Sequence, residues 1–136
     1  MAVMTYAGAL LIPAGTVAAS PATDTLVTAP GVALLVRLIV PPGPRGEVSL
    51  WLKHIETIIA PVPPATWDNL DDDLVDYPLS IVTTPGMVNF TLCGCSPYAN
   101  FDHTITWQLQ VDTSPQVSVP EPTTNLLGRL MGALGG

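Results

Sequence analysis

The stretch His103–Val111, HTITWQLQV, decides how this chain is read. Ile105, Trp107, Leu109 and Val111 alternate with Thr104, Thr106, Gln108 and Gln110. A period of two places the apolar side chains on one face of a strand and the polar ones on the other. A strand with one wet face belongs to an antiparallel sheet whose opposite face covers a core.

Working outward, PLSIVTT (78–84) and MVNFTL (87–92) alternate on either side of Pro85-Gly86. VALLVRLIV (32–40) is apolar almost throughout, with Leu34, Val36, Leu38 and Val40 on one face and Ala33, Leu35, Arg37 and Ile39 on the other. Such a strand is central in its sheet or lies partly under another chain. Pro41-Pro42-Gly43-Pro44-Arg45-Gly46 must turn. EVSLWLKHIETII then resumes with Val48, Leu50 and Leu52 opposite Ser49, Trp51 and Lys53. Segments 32–40 and 47–59 thus read as a hairpin with a six-residue turn, and a bulge near Lys53-His54 absorbs the change of phase before Ile55. MTYAGALLI (4–12) and DTLVT (24–28) complete seven strand candidates. Their number and spacing predict an all-β chain, an antiparallel β-sandwich or jelly-roll-like barrel. APVPPATWDNLDDDLVDY (60–77) is the long connection, anchored over an open end of the core by Trp67, Leu70, Leu74 and Val75. CGCSPYANF (93–101) reads as a loop.

The chain has 136 residues, enough for one domain with a real core. Its 15 prolines and 11 glycines favour strands cut by turns. Hydrophobic residues make up 48% and charged residues 11%, with a net charge of −7 and only Lys53, Arg37, Arg45 and Arg129 as cations. That balance argues against a nucleic-acid partner. No apolar run approaches the roughly 20 residues that span a bilayer. The opening MAVMTYAGALLIPAGTVAASPA has no basic leader, and Thr5, Tyr6 and Pro13 interrupt it, so it reads as mature protein rather than a signal peptide.

Catalytic and metal chemistry find little support. A disulfide between Cys93 and Cys95 would be strained, and two thiols are two ligands short of a closed zinc site. Two free thiols in a turn are expected. Cys95 and His103, the latter beside Asp102, could pair as nucleophile and base, but no oxyanion-hole signature accompanies them, and His54 is a weaker case. Asp68, Asp71, Asp72, Asp73 and Asp76 could converge on calcium, yet they lack the order of an EF-hand loop, so a solvated acidic loop is the default. No catalytic residue, metal or cofactor is expected. Trp51 and Trp67 are the candidate ligand surface, of the kind that stacks on sugar. For Trp51 the competing assignment is a second core layer or a subunit interface.

After residue 112 the character changes. Residues 1–112 form the expected sandwich domain, and 113–136 an arm made extended by Pro115, Pro120 and Pro122. It ends in NLLGRLMGALGG, where Leu126, Leu127, Leu130, Met131 and Leu134 sit at helical spacing behind an N-cap at Thr123, Thr124 or Asn125. Gly128 and Gly132 each weaken that helix by about 1 kcal/mol, and a helix so short does not persist alone in water. Docking on a neighbouring subunit would bury it. Those five residues, with Leu35 and Ile39, make up the expected assembly interface.

Taken together, VTAPGVALLVRLIVPPGPRGEVSLWLKHIETII (27–59), TTPGMVNFTL (83–92) and HTITWQLQVDTSP (103–115), with the acidic loop and Trp67 between them, resemble the small β-sandwich virion proteins of tailed bacteriophages. These are head decoration (cement) proteins and related accessory proteins. The resemblance spans roughly 24–112. It implies a non-enzymatic structural protein of the capsid surface, made in the host cytoplasm. It also implies a homo-oligomer, for which a trimer would suit, held on a major capsid protein or another virion protein. The alternative is a carbohydrate- or receptor-binding sandwich module.

Overall fold

The structure, a computed structural model, describes residues 2–43, 47–63, 65–68 and 70–114. The alternating stretch is strand β8 (His103–Asp112), and its Ile105, Trp107, Leu109 and Val111 are all fully buried. Seven more strands precede it: β1 (Val3–Ile12), β2 (Ala22–Val27), β3 (Gly31–Val40), β4 (Ser49–His54), β5 (Thr57–Ala60), β6 (Asp73–Thr83) and β7 (Asn89–Cys95). They form two antiparallel four-stranded sheets in the orders β1-β8-β3-β6 and β2-β7-β4-β5. The described residues contain no helix.

Between the sheets lies one core. The first sheet supplies Leu10, Ile12, Val36, Leu38, Trp107 and Leu109, and the second supplies Leu50, Leu52, Phe90 and Leu92. The fold is therefore a sandwich, as the alternation predicts.

Several expectations need correction. β3 and β4 are not a hairpin: β3 pairs with β6 and β8, whereas β4 pairs with β5 and β7. The chain crosses from one sheet to the other after β3, so period-two patterning located both strands and misassigned their partners. Among the described residues the strands number eight rather than seven, because 47–59 folds back on itself. Ile55, at φ 58°, turns β4 into β5, and the register shifts between Leu52 and Lys53. In β3 the ladder slips between Ala33 and Leu35, so Ala33 is buried in the core while Leu34 is only half-buried. Segment 73–77 is strand rather than loop, and its Leu74 is exposed while Leu70 is buried. Cys93-Gly94-Cys95 ends β7 instead of forming a turn. The arm beyond Ser114, with its helix and Leu126, Leu127, Leu130, Met131 and Leu134, lies outside the described residues.

The sheets are also tied by a polar bond through the core. Trp107 Nε1 on β8 donates to Asp24 Oδ2 on β2 at 2.8 Å. Gly8 on β1 makes room for this bond. A Cβ there would collide with Asp24 Oδ2 and stand 2.8 Å from Trp107 Nε1. Gly94 plays the same part in the second sheet, where a Cβ would meet Ile12 at 2.6 Å and Leu50 at 2.9 Å. Gly8→Ala is expected to lower stability by about 1–3 kcal/mol through overpacking, read as an earlier urea midpoint. In a Trp107→Phe background, where Asp24 is free to swing aside, the same change should cost measurably less.

Candidate binding surface

On β4, Leu50 and Leu52 face the core, and Ser49, Trp51 and Lys53 alternate with them on the outer face, half-buried. Trp51 lines an apolar hollow of about 210 Å³ with Ala18, Ile58, Pro63, Ala65 and Thr66. The hairpin supplies Trp51 and Ile58; the loops after β1 and β5 supply the rest. The Thr66 hydroxyl already donates to Asp68 Oδ1 at 2.9 Å. The hollow thus offers an aromatic wall and apolar contact more than hydrogen bonding.

Trp67 has a different job. It exchanges two backbone hydrogen bonds with Leu50, of 3.0 and 2.9 Å, and sets its ring edge-on to Tyr77, with centroids 5.5 Å apart at 81°. These contacts fasten the loop before β6 to β4. Trp67 does not line the hollow, so the two tryptophans do not form one stacking face.

Leu35 and Ile39 sit half-buried on the outer face of the first sheet, as the alternation of 32–40 predicts for these two. Arg37 lies between them and donates to both carboxylate oxygens of Asp76, at 2.7 and 3.0 Å. That bond raises the Arg37 pKa and holds the Asp76 carboxyl below the usual carboxylate range. The apolar strip is therefore interrupted by an exposed ion pair.

The remaining candidates do not converge. Cys93 and Cys95 are free and buried, and burial pushes both thiols up. Lys53 pulls Cys93 back somewhat, while Asp68 raises Cys95 further. His103 is buried with Nε2 lacking any hydrogen-bond partner, so no bond to Cys95 forms; the nearest carboxylate is Glu47, at 3.7 Å. Asp102 accepts instead from the Ala14 N–H at 2.9 Å. His54 stacks on Phe90 and bonds the Met87 carbonyl. The aspartates disperse: Asp71 accepts from the Gly43 N–H, Asp73 from the Asp71 N–H, and Asp76 from Arg37. Among the described residues no three metal-ligating side chains gather at one point.

One feature escaped the sequence reading. The loop between β7 and β8 holds out Tyr98 and Phe101, 88% and 74% exposed, and Phe101 borders a second hollow of about 390 Å³ with Gly43, Glu47 and Asn100. Two aromatics in a short loop behind a proline, S-P-Y-A-N-F, were the available signal. No protein-family model matches the chain, and no curated protein sequence matches it.

Two outcomes follow from this geometry. Trp67→Ala should cost about 2–4 kcal/mol by opening the seam against Tyr77, and Trp51→Ala distinctly less, both read from urea unfolding. Cys93 and Cys95 should react with a thiol-specific reagent at neutral pH roughly tenfold or more slowly in the native chain than in guanidinium, because burial suppresses the reactive thiolate.

Proposed function

We propose that this chain is a structural virion protein, a capsid decoration (cement) or related accessory protein that acts through protein–protein contacts on the capsid surface. The observation that carries the reading is the strand order. Two facing sheets ordered β1-β8-β3-β6 and β2-β7-β4-β5, with β4 and β5 as the one pair of consecutive strands joined within a sheet, support a jelly roll. Double-sheet jelly rolls recur in capsid and lectin domains. Fold alone does not assign function, so surface chemistry has to choose between these uses. Large hydrophobics stand exposed on several elements: Val3, Met4 and Leu11 on β1, Leu74 and Val82 on β6, and Tyr98 and Phe101 at a loop tip. Such a surface suits contact with other proteins. The arm, 113–136, with Leu35 and Ile39, supplies contacts to a neighbouring subunit or to the major capsid protein.

A lectin-like use is the second reading, favoured by the Trp51 hollow. Glycan binding lost in Trp51→Ala but retained in Trp67→Ala would select it.

Light scattering on the full chain beside a chain ending at Ser114 tests the assembly reading. The full chain is expected to be a defined oligomer of higher mass than the shortened one. Equal masses would remove the arm from assembly, and a monomeric full chain would remove self-association altogether.

A further inference from the structure

Every open sheet has two edges, and unpaired backbone groups along an edge invite another strand. Here the four edges are β1 and β6 of the first sheet and β2 and β5 of the second. Three are blunted in recognised ways. β6 carries Asp73, Asp76 and Pro78. β2 is six residues long with Asp24 turned inward to Trp107, and β5 has only four residues before Pro61. β1 has none of these devices. It runs ten residues, VMTYAGALLI, without a charge or a proline.

Its free backbone groups can be assigned. Thr113 N–H donates to the Ala2 carbonyl at 2.7 Å, and the register from Val3 opposite Asp112 to Ile12 opposite His103 continues that pairing. Hydrogen-bonded pairs in an antiparallel ladder fall on alternate residues. The N–H and C=O of Val3, Thr5, Ala7, Ala9 and Leu11 therefore point away from β8. Among the described residues none of these groups has another partner. Val3, Met4 and Leu11 are also 42%, 49% and 54% exposed.

We propose that β1 is a pairing edge for a second copy of this chain. The second β1 adds antiparallel about a two-fold axis at Ala7, and two four-stranded sheets become one of eight strands. In that register Val3 faces the partner's Leu11, Thr5 the partner's Ala9, and Ala7 the partner's Ala7. All of these residues have outward-facing backbone groups, so each pair forms two hydrogen bonds. The intervening pairs set Met4 against the partner's Leu10 and Tyr6 against the partner's Gly8. No charge meets a like charge, and the exposed Val3 and Leu11 cover each other across the seam. The choice of a second copy follows from this self-complementarity and from charge. Two chains of net charge −7 meet with least repulsion along a strand that carries no carboxylate. The inference deepens the assembly reading and rests on it for the expectation that copies associate. It makes the oligomer even-numbered, in contrast to the trimer that would suit the resemblance to virion proteins.

The test measures the solution mass of the full chain, wild type beside Ala7→Pro and Ala7→Lys, with circular dichroism on each. Ala7 is exposed, and its N–H makes no bond within the chain, so proline there leaves the β1–β8 ladder intact. Lysine sets two like charges face to face across the two-fold axis. The expected result is an even-numbered wild-type oligomer whose mass is halved in both variants with unchanged circular dichroism. Should Ala7→Pro unfold, Ala7→Lys decides. A monomeric or odd-numbered wild type overturns the pairing, as does an oligomer that persists in a folded Ala7→Lys chain. In that last case, a mass that falls only on removing residues 115–136 leaves the assembly reading standing without β1.

Discussion

The bond from Trp107 to Asp24 sets terms that the rest of the sandwich has to meet. Sheet-to-sheet packing is mostly apolar and non-directional, and it tolerates some sliding of one layer over the other. A hydrogen bond of 2.8 Å from a fully buried indole to a carboxylate on the opposite sheet does not. It fixes β8 over β2, and it satisfies a polar atom whose loss of water would otherwise cost a few kcal/mol. The carboxylate needs space at the level of β1, and that space is Gly8. Small residues flank it on both sides, in Ala7-Gly8-Ala9. The bond accounts for Gly8 alone, because Ala7 and Ala9 point to the outer face of the sheet and are exposed.

How much of this was legible in the sequence depends on what each signal encodes. Alternation encodes faces, so the buried sets of β4, β7 and β8 and the outward position of Trp51 were readable. It does not encode partners. β3 and β4 look like a hairpin because they are adjacent and equally regular, yet β3 pairs with the distant β6 and β8, and β4 with its neighbour β5 and the distant β7. Turns were readable where glycine and proline mark them. The turn at Ile55-Glu56 has neither, and a β-branched residue at positive φ gives no local warning. Aspartates misled in the opposite direction. Asp73 and Asp76 suggest a loop, but on an edge strand one face and one side are wet, and charges there discourage unwanted pairing. The bulge in β3 was hidden as well, since a run of apolar residues reads the same before and after a one-residue slip.

The candidate surface was half legible for a related reason. Trp51 could be placed because it belongs to a strand. Ala18, Pro63 and Ala65 could not, because they reach the hollow from loops whose course depends on the whole fold. Trp67 shows the converse. As a residue type it suggests recognition, but its two backbone bonds to Leu50 and its contact with Tyr77 make it a clasp. A tryptophan ring contributes to ligand binding only where the fold leaves its face uncovered.

Charge supplies the last step. With so few cations in the chain, an attractive patch for another acidic copy is hard to build from ion pairs. Arg37 is held by Asp76 on its own sheet, and Lys53 lies 3.8 Å from Glu56 in its own hairpin. Both pairs are exposed, where such bonds contribute little and are screened by salt. Under the proposed pairing, association of like chains would draw on apolar area and main-chain hydrogen bonds, which are indifferent to net charge. A long, uncharged, self-complementary edge offers both. The other edges carry carboxylates or proline, or are too short to hold a partner. Protection of three edges and its absence from the fourth is the pattern expected when one edge is meant to be met.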